Sequence, residues 1–186
     1  MKKLLVGLML IIGFLSLNAQ NKYFTKAAVI SFDATAKSSP ETIAGKSTTG
    51  TSVIDATTGK MEFAVLVKSI NFKKALMQEH FNENYVESSK FPKALFKGKI
   101  ENIKDINFQK DGTYKANISG ELTMHGVTKP IKTFSTIKVS GGKIMANSSI
   151  TVSMDDYGIE VPSLVSDKVG KSASINIEAN YEALKK

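Results

Sequence analysis

The sequence predicts an all-β fold: an antiparallel eight-stranded barrel with one helical insertion at about residues 72–86. Three observations predict it. Apolar and polar residues alternate with period 2 along most of the chain. Short turn signals separate the alternating segments. One segment alone breaks the alternation, and it does so with helical spacing.

The chain opens with a different pattern. MKKLLVGLMLIIGFLSLNAQ has a basic start at Lys2 and Lys3, an apolar run from Leu4 to Leu15, then Ser16, Asn18 and Ala19. That is the layout of a secretory signal peptide. The run is shorter than the roughly 20 residues that a membrane helix needs. Cleavage is expected after Ala19, which leaves residues 20–186 as one domain. The expected location is the periplasm or the exterior. The sequence has no cysteine, so no disulfide or thiolate metal site is available and no lipid anchor on cysteine is expected.

The strands follow in order. Residues 23–34 and 42–55 form the first two, and Thr57-Thr58-Gly59 turns the chain into the third. In KMEFAVLVKSI, residues 60–70, Met61, Phe63, Val65 and Val67 oppose Lys60, Glu62 and Lys68. The helical segment FKKALMQEHFNENYV comes next, with Met77, Phe81 and Tyr85 at i, i+4 and i+8 and His80 alongside. Pro92 stops it and restricts Phe91 to extended backbone. In LFKGKIENI, residues 95–103, Phe96, Gly98 and Ile100 oppose Lys97, Lys99 and Glu101.

The cleanest alternation is TYKANISGELTM, residues 113–124, entered through Lys110-Asp111-Gly112. Tyr114, Ala116, Ile118, Gly120, Leu122 and Met124 share one face there. His125-Gly126 breaks it, and a strand at 131–139 follows. Gly141-Gly142 leads into 143–154, and the last strand is 172–183. Short turns between successive strands make an antiparallel meander. A β-sandwich would alternate similarly, but closure into a barrel also removes the exposed sheet edges. A barrel of eight strands is wide enough to be filled by side chains or to hold one small ligand. The inward parity mixes small residues (Gly98, Ala116, Gly120, Ala146, Ala173, Ala179) with long apolar ones, so the interior is expected to be incompletely filled.

Charge narrows the function. The whole chain carries +8, and without Lys2 and Lys3 the mature part has 23 lysines against 17 acids, or +6. Arginine, the preferred group for phosphate and base edges, is absent, as is tryptophan, so no nucleic-acid partner is expected. Asp155-Asp156 resembles a carboxylate pair, but adjacent strand residues face opposite ways, and Gly158 makes the stretch a turn. No phosphate loop and no nucleophile elbow are present. With two histidines 45 residues apart, no metal site and no cofactor are expected.

Four segments carry a family resemblance: VISFDATAK; FAVLVKSINF with Glu79-His80-Phe81 after it; SSKFPKALFKGKI; and SGELTMHGVTKPI. In this order and spacing, from about residue 27 to 181, the chain resembles the YceI-like family of exported, lipocalin-like bacterial barrels associated with polyisoprenoid and other lipid binding. It departs from the family pattern ahead of the helix histidine, where LMQEHF replaces an arginine-aspartate pair, and at Phe91, where one phenylalanine stands instead of two.

The resemblance implies a lipocalin-like barrel and a binding protein, not an enzyme. The ligand it implies is a long-chain lipid or isoprenoid: a polyisoprenoid, an isoprenoid quinone or a fatty-acid derivative. The residues support the apolar cavity, since each buried CH₂ contributes roughly 0.8 kcal/mol. Candidate ligand contacts are Met61, Phe63, His80, Phe81, Tyr85, Phe91, Phe96, Leu122, Met124 and His125. Any of the apolar ones could equally be plain core. His80 would orient the polar end of the ligand. His125 is either a turn residue bonding local backbone or a second polar contact. An enzyme acting on such a ligand, with His80 beside Glu79 or Lys90, is the alternative, as is a filled barrel that serves as an interaction protein. A homodimer is compatible with either.

Overall fold

The computed structural model describes residues 21–184, so the leader expected at 1–19 lies outside the described residues. The strands are β1 (Lys22–Thr35), β2 (Ala44–Asp55), β3 (Lys60–Leu66), β4 (Asn71–Phe72), β5 (Lys93–Ile100), β6 (Gly112–Met124), β7 (Val127–Ser140), β8 (Lys143–Ser153) and β9 (Val169–Ala183). Eight long strands run antiparallel, each beside its neighbours in sequence, and β1 pairs with both β2 and β9 to close the barrel. The two-residue β4 adds only the pairs Gly45–Phe72 and Lys46–Asn71. The expected fold class is the observed one.

The helical insertion is shorter than the sequence spacing predicts. Helix α1 covers Ala75–His80, and the next turn, Phe81–Tyr85, widens to a π-helix. Its start is delayed because Asn71 and Phe72 are held extended against β2. The side chain of Gln78 fixes the junction: its Oε1 accepts from the Phe72 N–H at 2.8 Å, and its Nε2 donates to the Ile70 carbonyl at 2.9 Å.

Turn chemistry sets the register. The Asp55 Oδ1 accepts from the N–H groups of Thr57 and Thr58, and Gly59 takes φ +76° to enter β3. His125 and Gly126 both have positive φ, 50° and 74°, between the paired Met124 and Val127. That is the two-residue hairpin whose twist matches the strands. It starts β7 four residues earlier than expected, and Pro130 falls inside the strand. Proline costs the ladder little there, because β7 pairs with β8 only from Ser135 to Ser140.

The two ends of the barrel differ. One is packed solid: Ile144 is 2% exposed and Tyr23 stacks on Phe108 with ring centres 5.2 Å apart, while Ile54, Ile100 and Ile137, also at most 2% exposed, line the hollow beyond. Phe108 lies on the connection from β5 to β6. The other end, where α1 sits, is hollow.

Inward parity is as the alternation predicts, yet some of its small residues are already covered. Gly98 and Gly120 face each other across β5 and β6. A Cβ on either would meet the Phe96 ring at 2.5 and 2.6 Å and backbone at 2.3 and 2.4 Å. The aromatic ring therefore occupies the space the glycines leave.

Candidate functional site

A cavity of about 460 Å³ runs from the mouth beside α1 toward the packed end. It falls within the range of about 300–1,000 Å³ that holds one small ligand. Strands from around the barrel contribute to it, with Ile30, Val65, Ile137 and Ile175 among the aliphatic walls. Ala146 and Ala179, paired across β8 and β9, widen it.

The polar groups of the wall are already engaged. The Tyr181 hydroxyl donates to the Ser52 Oγ at 2.8 Å, and Ser52 donates on to the Glu62 carbonyl at 2.8 Å. Burial pushes the Tyr181 hydroxyl above the usual phenol range, so it stays neutral. The Ser135 and Ser148 hydroxyls donate to the carbonyls of Asn147 and Phe134. A guest meets hydrocarbon and few free hydrogen-bonding groups, so apolar burial is the force available to hold it.

The mouth is closed over by the insertion. Phe81 is buried, with ring centres 5.5 Å from Phe32 and 4.8 Å from Phe72. Such tilted aromatic contacts contribute beyond their area alone. Met77 and Tyr85 line the cavity from the same segment, although the π-turn has replaced the regular helical spacing between them. Burial raises the pKa of the Tyr85 hydroxyl.

Eight of the ten candidate residues line this one cavity: Met61, Phe63 and Phe96 from β3 and β5, Leu122 and Met124 from β6, and His80, Phe81 and Tyr85 from the insertion. His80 is exposed at the rim. Phe91 and His125 are placed elsewhere. Their rings meet edge-on at 4.7 Å outside the cavity lining. The His125 Nδ1 bonds the Tyr157 carbonyl and its Nε2 bonds the Glu87 Oε2, both at 2.9 Å. Those contacts join the hairpin, the end of the insertion and the turn after β8. Among the described residues no group of three potential ligands could hold a metal ion. None of their helices is long and apolar enough to cross a membrane.

Sequence reasoning missed the polar rim. Glu41 from the loop before β2, Lys74 from the start of α1, and Lys168 from the loop before β9 all line the mouth, and Lys74 is ion-paired with Glu41. The hydrogen bond from Lys74, its charge and that of Lys168 hold the Glu41 carboxyl below the usual range. No local pattern marks these residues, since only closure brings their loops together. Phe32 was read within the first strand and Phe72 as the first residue of the helical segment, and neither was read as the seat of Phe81.

Residues 23–181 match the YceI-like domain. Curated relatives include a UPF0312 protein of Pseudomonas putida strain F1, 26% identical over 98 residues, which are 50% of this chain and 47% of that one. Another, from Pseudomonas syringae pv. syringae strain B728a, is 26% identical over 111 residues, covering 56% and 51%. The chain thus spans about half the length of the curated relatives it matches. Among solved structures, a polyisoprenoid-binding domain from Saccharophagus degradans, implicated in plant cell wall breakdown, superposes with a TM-score of 0.75 at 14% identity, covering 89% of this chain and 99% of that one. BcnA of Burkholderia cenocepacia superposes at 0.67 with 13% identity, covering 83% and 96%. At such identities the likeness is one of fold.

Proposed function

The chain belongs to the YceI-like family, and from that premise we propose that it is an exported carrier that holds one long-chain apolar ligand inside its barrel. The ligand class is a polyisoprenoid, an isoprenoid quinone or a fatty-acid derivative. Residues 1–19 act as the export signal, and the remainder is a single barrel domain.

The observation that carries this reading is the cavity: about 460 Å³, walled by hydrocarbon, with Ser52, Ser135, Ser148 and Tyr181 bonded within the barrel. At roughly 0.8 kcal/mol per buried CH₂, a chain of several isoprene units gains enough to bind without many polar contacts. The polyisoprenoid-binding domain of Saccharophagus degradans, similar in fold, supports the ligand class. The apolar end sits deep, and the polar end lies at the mouth beside His80.

Binding is favoured over catalysis because the cavity is walled by hydrocarbon. An enzymatic role for His80 would need a second polar group to orient it. Lys90, one candidate partner, lies 3.7 Å from Glu87 and over the Phe91 ring instead.

Native mass spectrometry of the purified protein, followed by organic extraction, tests the proposal. A long-chain lipid released at one per chain is the expected result. A bare mass that does not change on incubation with isoprenoid and fatty-acid mixtures would overturn it.

A further inference from the structure

We propose that the guest is an amphiphile with an anionic head, a phosphate or a carboxylate, held at the mouth by Lys74 and Lys168, with Glu41 occupying the site in its absence. The inference rests on the carrier reading above and names the chemistry of the ligand's polar end.

Three observations carry it. First, charge is confined to the mouth: Glu41, Lys74 and Lys168 are the only formally charged side chains among the described residues that line the cavity. They come from three separate segments that meet only at this opening. Second, the set is unbalanced, with two cations to one carboxylate. Glu41 pairs with Lys74 and feels the charge of Lys168 as well, which leaves one positive charge in excess. Third, the wall beneath offers few competing polar groups, because its serines and Tyr181 are bonded to one another or to backbone. An amphiphile can therefore bury its tail only by leaving its head at this rim.

An alcohol or quinone head would find the Glu41–Lys74 pair closed and no charge of its own to offer. An anionic head can take Lys168 directly and share or displace Glu41 on Lys74. Charge-assisted hydrogen bonds are short and strong compared with neutral ones. Glu41 then acts as a stand-in for the head group: it neutralises part of the rim when the barrel is empty and competes with the guest when it is not.

The test is competition against N-phenyl-1-naphthylamine, a neutral fluorophore, bound in the cavity of the purified protein. Farnesol, farnesyl phosphate, hexadecanol, hexadecanoate and inorganic phosphate are the competitors. The two anionic amphiphiles are expected to displace the probe about tenfold more tightly than their alcohols, on the scale of one charge-assisted hydrogen bond. Inorganic phosphate alone is expected to displace nothing. The double variant Lys74→Gln/Lys168→Gln should lose the preference while still binding the alcohols, and Glu41→Gln should strengthen it. Lys143→Gln, at the packed end, should change nothing.

Equal displacement by alcohol and anion would overturn the anionic-head proposal and leave the carrier reading standing. So would a preference that survives in the double lysine variant, or displacement by inorganic phosphate. Failure of the probe and all four amphiphiles to bind would overturn both.

Discussion

Glu87 and His125 are the two non-glycine residues of the described chain with left-handed backbone, φ 42° and 50°, and their side chains bond each other at 2.9 Å. Each conformation is costly for a residue with a Cβ, so both persist because the surroundings fix them. Histidine is among the residues that tolerate this region best. Both ring nitrogens of His125 face oxygens that can only accept, the Glu87 carboxylate and the Tyr157 carbonyl, and the imidazolium form donates to both. The pair ties the end of the helical insertion to the hairpin between β6 and β7.

Acid should weaken this tie. The hydrogen bond from His125, then the charges of Lys90 and His125, hold the folded Glu87 carboxyl below its ordinary value of 4.5. A depressed carboxyl contributes stability that is complete above its unfolded value and is lost as pH falls through the folded one. Glu87→Gln keeps an acceptor but not the charge. Its melting temperature should therefore lie below that of the wild type at pH 6, and the gap should narrow steadily below pH 4.5. Thermal melts from pH 6 to pH 3 measure it, and a gap that stays constant in acid would show that the charge of Glu87 contributes nothing.

The Phe96 ring over Gly98 and Gly120 makes a second expectation. Gly120→Ala puts a methyl 2.4 Å from the Lys97 carbonyl and 2.6 Å from the Gly98 Cα, both backbone and unable to swing aside. Overpacking of this kind costs about 1–3 kcal/mol. Urea unfolding should show a loss of that size, with an unchanged slope. A neutral substitution would mean that β5 and β6 separate more easily than their pairing suggests.

Much of the barrel was legible because water enforces the alternation. Along β6, Ala116, Ile118 and Leu122 face in while Lys115 and Glu121 face out, whereas β2 and β7 bury Ser52 and Ser135 and expose Val53 and Phe134. Two-residue pairing was not legible: Asn71 and Phe72 are held by Gly45 and Lys46, which are distant in sequence. The strand expected to start at 131 begins at Val127 instead, because β7 pairs with β6 through Pro130 while its other edge has no partner before Ser135. Within the site, alternating apolar residues revealed the wall. The rim was invisible because Glu41 and Lys168 lie on loops that carry no periodicity, and nothing in the helical segment marked Lys74 as their partner. His125 and Phe91 resembled site residues by type, and only the structure places them beside Glu87 and Tyr157 instead.

Filling the cavity should separate binding from stability. Ala146 faces Ala179 across β8 and β9, and both line the cavity. Ala146→Leu adds apolar carbons where a guest would lie, each worth roughly 0.8 kcal/mol when buried. The melting temperature of the empty protein should hold or rise, as cavity-filling changes commonly achieve. Affinity for N-phenyl-1-naphthylamine should fall at least about tenfold, the equivalent of two displaced CH₂ groups. Full binding by this variant would put the guest elsewhere than the barrel.

Gln78 and Phe81 hold the insertion over the mouth in different ways, and ligand kinetics should tell them apart. The Gln78 side chain does not line the cavity: it bonds the Phe72 N–H and the Ile70 carbonyl and anchors the insertion to β4. Phe81 both packs on Phe32 and Phe72 and lines the cavity. Gln78→Ala loosens the cover without removing a ligand contact, so association and dissociation of the probe should both speed up, and the dissociation constant should change by less than about threefold, under 1 kcal/mol. Phe81→Ala removes wall as well as cover. It should speed dissociation more than association, weaken binding by at least about tenfold, and destabilise the fold by about 3 kcal/mol or more. Stopped-flow mixing with the probe resolves the two rates. If Gln78→Ala alters affinity as strongly as Phe81→Ala, then the insertion is part of the binding surface throughout, and the opening that admits the ligand lies away from α1.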